Sequence, residues 1–269
     1  MLIPAPAAMR DKLHAVHEPA PAKDAATIAV VRAGQRGLEV FLMRRQASMA
    51  FAAGMYVFPG GGVHEADAAP LPWLGPAADH FATRFDCSNE TARALVVAAA
   101  RETFEETGVL IAGSDEHSVV SDVTPYHEAR LALERHELSF GEFLRENRLS
   151  LRADLLGAWA HWITPVFEPR RFDTRFFTAV LPAGQRIDTV SDEADASEWV
   201  PLDEVLARVE RGEAAMMPPT KATCAELARE SAETVLQAAA ARRINAIEPK
   251  LVEIDGKLWL DTGTEADNG

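Results

Sequence analysis

Cysteine is scarce: the 269 residues hold two, Cys87 and Cys224. That is too few for a disulfide framework or a cysteine-based metal centre, and it suits a reducing compartment. Basic residues are in deficit as well. Lys and Arg number 27 against 41 Asp and Glu, a formal net charge of −14, which argues against a non-specific nucleic-acid binder held by phosphate neutralisation. An anionic small molecule needs local help here, from a metal ion or a few placed arginines. Apolar runs of membrane-spanning length, roughly 18 residues, are missing. The opening stretch "MLIPAPAAMRDKLHAVHEPAPAK" also lacks a signal-type apolar segment. The expectation is a cytoplasmic protein without a membrane partner. Internal repeats are absent. Apolar content is plentiful: 48% of the chain is hydrophobic, ample for a sizeable core in one domain with additions.

Residues 1–23, rich in Ala and Pro, read as a mostly extended leader. "ATIAVVRA" (26–33) and "LEVFLMRR" (38–45) read as two strands joined at "GQRG", and "MYVF" (55–58) as a short third strand running into "PGGG". The Pro-containing, weakly periodic segment 66–90 predicts an inserted loop with one helical turn. "SNETARALVVAAARETFEETG" predicts a helix, with Ser88 or Asn89 as N-cap and Gly108 as the C-terminal stop. Two helices are expected across 125–148, the second opened by Ser139 with Glu142 three residues on. "WAHWITPV", "RFDTRFFTAVLP" and "ASEWVPL" give further strands, and "DEVLARVERG" an amphipathic helix. "PPTKATCAELARESAETVLQAAAARR" predicts a long helical stretch, and "KLVEIDGKLWL" a hairpin turning at Asp255-Gly256.

Within "AAARETFEETGVLI" (98–111), Glu102, Glu105 and Glu106 fall at i, i+3 and i+4. They therefore share one helix face and repel one another, so a cation is expected between them. Hard divalent ions take carboxylate oxygens, keep several waters and bind best where substrate phosphates complete the shell. Three glutamates beside a glycine-rich turn whose backbone can approach closely form such a half-shell.

"FPGGG" (58–62) together with "RETFEETG" (101–108) resembles the box of the Nudix hydrolase family, G-x5-E-x7-R-E-U-x-E-E-x-G-U, with U a bulky aliphatic residue. Gly61 begins the box, and Arg101, Glu102, Glu105, Glu106, Gly108 and Val109 match its second half. Asp67 stands at the first acidic position, Thr103 at a usually aliphatic one, and far more than seven residues separate Asp67 from Arg101. The resemblance implies a Nudix-type α/β/α sandwich with a mixed sheet over residues 24–230, with an insertion at 68–90 and a helical segment near 125–148. The leader 1–23 precedes it, and a helix end with the hairpin follows over 231–269. It also implies a Mg²⁺ or Mn²⁺ cofactor held by Glu105, Glu106, Glu102 and the carbonyl of Gly60. Glu102 doubles as a candidate general base, and Arg101 orients the carboxylates. A further acid is expected from "SDEADASEW"; Glu193 is the choice, with nothing local to separate it from Asp192 or Asp195.

Upstream, "FLMRRQASMAFAAGMYVFPGG" resembles the signature of the coenzyme A diphosphatases, with Leu42, Arg45, Gly54 and Phe58–Gly61 in place and Met43, Gln46 and Ala50 departing. The likeness is closer to the branch whose box carries a long insertion, in "GLEVFLMRR", "SMAFAAGMYVFPGG", "WITPVFEPRRFDTRFF" and "PPT". The implied reaction is hydrolysis of coenzyme A or acyl-coenzyme A to 3′-phospho-AMP and an (acyl-)phosphopantetheine. Arg45, Arg170 and Arg171 are the candidate phosphate-binding side chains, beside Gly61. Phe51, Trp162 and Phe172 are candidate contacts for the adenine or pantetheine. Two alternatives stay open: a hydrolase of ADP-ribose, NADH or dinucleoside polyphosphates, and a non-catalytic nucleotide-binding module. A homodimer contact through the insertion, or closure of the insertion over the substrate, is equally open.

Overall fold

A computed structural model describes residues 1–13, 18–46, 54–188 and 194–263. The chain forms β1 (Leu2–Pro4), a 3-10 turn (Ala7–Lys12), and the long strands β2 (Ala22–Gly34) and β3 (Gly37–Arg45). The short β4 (Tyr56–Val57) and β5 (Gly60–Gly62) follow, then β6 (Trp73–Leu74), α1 (Ala78–Phe85), α2 (Asn89–Thr107) and β7 (Ala112–Gly113). Next come α3 (His127–Glu134), α4 (Phe140–Glu146), β8 (Ser150–Arg152), β9 (Gly157–Ile163), β10 (Arg171–Val180) and β11 (Ala194–Pro201). The chain finishes with α5 (Leu202–Glu210), α6 (Pro218–Leu227), α7 (Val235–Ala241), β12 (Ala246–Ile247), β13 (Lys250–Ile254) and β14 (Lys257–Asp261).

The main sheet runs β11-β3-β2-β10-β9-β12, with β4 on β3 and β5 on β2. β2 and β10 are parallel and β2 and β3 antiparallel, so the sheet is mixed. Alternation along β2 divides two cores. Ala26, Ile28 and Val30 face α1 to α4, whereas Ala29 and Val31 face α5 to α7. The expected α/β/α sandwich is thus present, and its order follows from period-2 strands buried on both faces. β2 also has a divided edge. Val31–Gly34 pair with β3, while Ala25–Thr27 pair with the glycines of β5. Strand β2 therefore carries the Gly-rich turn directly to the end of α2.

Two expectations need correction. The insertion holds more than one helical turn: α1 buries Phe81, Ala82 and Phe85 in the core beside α2. Eight residues offer barely two turns of pattern, too short for periodicity to declare a helix. The long C-terminal helix is two helices, α6 and α7. Between them, Thr234 Oγ1 accepts the Ser231 N–H (3.0 Å) and donates to Glu230 (2.8 Å), local bonds that compete with the helical ladder. Among the described residues of 1–23, Ala7–Lys12 form the 3-10 turn and β1 pairs with β14 of the Asp255-Gly256 hairpin. Val235 and Ala239 of α7 are buried in the second core, so the packed unit continues past residue 230. Cys87 and Cys224 are free thiols, and burial pushes that of Cys224 up to about 12. Among the described residues, no helix is long and apolar enough to cross a membrane.

At the start of β10, Asp173 receives Arg175 Nη1 at 2.8 Å and His161 Nε2 at 2.5 Å. Burial acts to raise the Asp173 carboxyl, but these two partners outweigh it and hold the group below its ordinary value. A depressed native pKa contributes stability that is present above the unfolded value of about 3.9 and is lost as pH falls through the native value. Asp173→Asn is expected to cost about 2 kcal/mol at pH 7 and much less at pH 3. Urea unfolding at the two pH values checks this; an equal cost at both would contradict it.

Candidate active site

The carboxylate face is built on the last two turns of α2. Ser88 caps the helix start by accepting the Thr91 N–H, and Gly108, at φ 73°, ends it in the left-handed conformation. Thr103 fits its buried position because its hydroxyl donates to the Ala99 carbonyl at 2.8 Å. Arg101 sits among the acids. Its Nη1 donates to Glu102 (2.9 Å) and Glu105 (3.1 Å), while Nε and Nη2 grip both oxygens of Asp67 at 3.0 Å. Burial works against this guanidinium's charge, yet Asp67, Glu102 and Glu105 together hold its pKa above the ordinary value. Asp67 is 2% exposed and Arg101 4%. Thus the first acid of the box, a residue the sequence left without a role, is a structural partner that ties the two halves together across the insertion.

Two bonds hold the glycine turn against this face and a third ties it to β2. Glu106 accepts the Gly60 N–H at 2.8 Å, Arg101 Nη2 donates to the Gly62 carbonyl at 3.0 Å, and Thr27 donates its hydroxyl to the Pro59 carbonyl. The approach is too close for a side chain. A Cβ on Gly61 would lie 2.4 Å from Glu102 Oε1, and one on Gly60 would lie 2.4 Å from the Ala26 carbonyl. Gly61→Ala is accordingly expected to turn Glu102 aside. It should lower kcat/KM by about tenfold or more while leaving the thermal midpoint nearly unchanged. Steady-state kinetics with a melting curve checks it; an unaltered kcat/KM would mean that Glu102 acts from elsewhere.

Glu105 is the chemically telling residue. It is 7% exposed, its Oε1 is buried with no hydrogen-bond partner, and burial pushes its carboxyl up to about 7 against the opposing pull of Arg101. A buried carboxylate oxygen without a donor is costly unless a cation reaches it. Arg130 of α3 supports the same turn from behind, donating Nε to the Glu105 carbonyl at 2.9 Å. Sequence reasoning passed over Arg130, since one arginine within a short helix carries no motif.

The remaining expectations fall in four groups. Arg171 is turned into the fold, bonded to the Thr164 and Ala20 carbonyls and to Glu248. That set pins the start of β10, so its donors are already engaged. Arg170 is exposed just before β10, and Arg45 is half-buried at the end of β3. Trp162 is buried in the second core, whereas Glu193, Asp192 and Phe51 lie outside the described residues, as does the side chain of Asp195.

Residues 78–229 match the family model for the NUDT19 Nudix domain, more than half of the chain. The chain belongs to the Nudix hydrolase family. The match begins inside the insertion, so Gly60, Gly61 and Asp67 lie before it and join the Nudix site through the contacts above. The chain is 26% identical over 197 residues to acyl-coenzyme A diphosphatase NUDT19 of Xenopus laevis, covering 60% of this chain and 52% of that protein. It is also 26% identical over 193 residues to putative nudix hydrolase 7 of Caenorhabditis elegans (71% and 56%). It spans about half the length of these curated relatives. A crystal structure of a Nudix hydrolase from Alicyclobacillus acidocaldarius superposes with a TM-score of 0.68 at 29% identity, covering 81% of this chain and 96% of that one.

Nudix hydrolases generally use divalent metal ions, and the donor set here fits one. All its side-chain donors are hard carboxylate oxygens, and Glu105 Oε1 is buried without a partner. Among the described residues no three acidic, His or Cys side chains already converge on one point. Glu106 is drawn to the Gly60 N–H, and Arg101 holds Glu102 and Glu105. Such a set suits an ion that shares its shell with the phosphates of a substrate more than a closed structural site.

Proposed function

We propose that this Nudix hydrolase cleaves the pyrophosphate bond of coenzyme A or acyl-coenzyme A, with Mg²⁺ or Mn²⁺, giving 3′-phospho-AMP and (acyl-)phosphopantetheine. The observation that carries the chemistry is the partnerless buried oxygen of Glu105, set on the helix face that meets the glycine turn. Glu102, Glu105, Glu106 and the Gly60 carbonyl would hold the metal. When bound, it neutralises the pyrophosphate and lowers the pKa of a water. Arg101 holds the inner carboxylate oxygens in place through charge-assisted bonds, and Glu102 is the candidate base that takes the attacking water's proton. Glu193 remains the candidate for a further acid. Supporting it is the pairing of Ala194, the next residue in the chain, with Arg45 at the end of β3.

The choice of coenzyme A rests on the similarity to an acyl-coenzyme A diphosphatase. A 3′-phosphate beside the pyrophosphate calls for extra guanidinium groups, and Arg45 and Arg170 are the candidates. Comparison of coenzyme A with dephospho-coenzyme A, ADP-ribose and NADH tests this reading. Coenzyme A is expected to give the highest kcat/KM, with 3′-phospho-AMP as the nucleotide product. Faster turnover of ADP-ribose or NADH would move the substrate to that class. Arg45→Ala and Arg170→Ala should narrow the gap between coenzyme A and its dephospho form by about tenfold each, the worth of a charge-assisted phosphate contact.

A further inference from the structure

Behind the last turn of α2, away from the carboxylates, lies a cleft of about 290 Å³. Phe104 and Tyr126 supply apolar wall, and neither Glu102, Glu105 nor Glu106 lines it. Its one buried cation is Arg130, 3% exposed. Arg130 Nε is committed to the Glu105 carbonyl at 2.9 Å, and Nη1 stands 3.9 Å from Asp188, whose side chain is 71% exposed. Nη2 is buried with no hydrogen-bond partner. A guanidinium edge left in this state inside a cleft is costly unless an acceptor arrives. The other lining acid, Asp122, is turned to its own chain, where it accepts the Thr124 N–H at 3.0 Å. Arg186, an exposed lining residue, adds a second cation.

We propose that this cleft binds a small organic anion, a carboxylate or phosphate monoester carried on an aromatic or apolar body, with the head group on Nη2 of Arg130 and Arg186 beside it. The volume lies at the lower end of the range for small-molecule sites. One planar guanidinium edge suits one such head group. The site is separate from the proposed pyrophosphate chemistry and stands or falls without it.

Titration calorimetry of the metal-free full chain with benzoate and with phenyl phosphate, each against its neutral analogue benzamide or phenol, tests the proposal. Saturable one-to-one binding of either anion is expected, tighter than its neutral analogue, and the tighter anion names the head group. Arg186→Ala should weaken it several-fold, Thr124→Trp should abolish it by filling the cleft, and Glu105→Gln should leave it unchanged. Arg130→Lys, which keeps a charge but loses the planar edge, should weaken it by about tenfold. Absence of saturable binding at millimolar probe overturns the proposal, as does binding that survives both Thr124→Trp and Arg130→Lys.

Discussion

Glu105→Gln is expected to lower kcat on coenzyme A by on the order of 10³-fold, about 4 kcal/mol of barrier, without destabilising the metal-free protein. The two halves of this expectation have one cause. Glu105 bears a buried carboxylate oxygen with no partner, and burial pushes its carboxyl up to about 7. In the metal-free fold that oxygen is a cost, so an isosteric neutral amide should leave the thermal midpoint equal or higher. On the proposed metal site the same oxygen would be a ligand, and the amide should weaken Mn²⁺ binding by at least about tenfold. Electron paramagnetic resonance of free Mn²⁺, read beside kcat and the melting curve, separates these effects. Parental turnover and parental Mn²⁺ affinity together would remove Glu105 from the metal site. A lower midpoint would show that its role is structural.

The second large effect concerns stability. Asp67→Asn breaks the two-pronged grip on Arg101, and both residues are almost fully buried. Removing one member of a buried ion pair costs about 3–5 kcal/mol; Arg101 keeps Glu102 and Glu105, so the lower end of that range is expected. For a chain of this size that lowers the melting midpoint by roughly 2–4 °C per kcal/mol. The consequence reaches the site, because Arg101 also fixes Glu102, Glu105 and the Gly62 carbonyl. Activity measured well below the midpoint should therefore fall as well, by about tenfold or more. Glu65→Gln, an exposed neighbour in the same turn, should change neither quantity. A parental midpoint for Asp67→Asn would contradict the assignment of Asp67 as the anchor of Arg101.

The carboxylate face, the caps of α2 and α4, the β2–β3 pair and the closing hairpin were legible because each rests on local chemistry. Carboxylate spacing sets a helix face, Ser and Gly mark helix ends, and Asp-Gly marks a two-residue turn. What stayed hidden depends on distant partners. Asp67 meets Arg101 across 34 residues, and no local pattern announces that pairing. Arg171 looked like a phosphate ligand by residue type, yet its partners Ala20 and Glu248 come from far along the chain. Helix α1 was concealed by its brevity. The break between α6 and α7 was concealed because the alanines around it favour a helix, while Ser231 and Thr234 bond to each other. Arg130 stayed unseen for the same reason as Asp67: its role is defined by a main-chain carbonyl on another helix.

The most direct measurement of the central claim is phosphorus NMR of coenzyme A mixed with the protein, first with EDTA and then with excess Mg²⁺ or Mn²⁺, for the parent and for Glu106→Gln. Loss of the pyrophosphate resonances with appearance of two phosphomonoester products, only in the parent and only with metal, is the predicted result. Pyrophosphate that stays intact with metal in coenzyme A, and equally in dephospho-coenzyme A, ADP-ribose and NADH, while the nucleotide still binds, would contradict the account and leave a binding module in place of an enzyme.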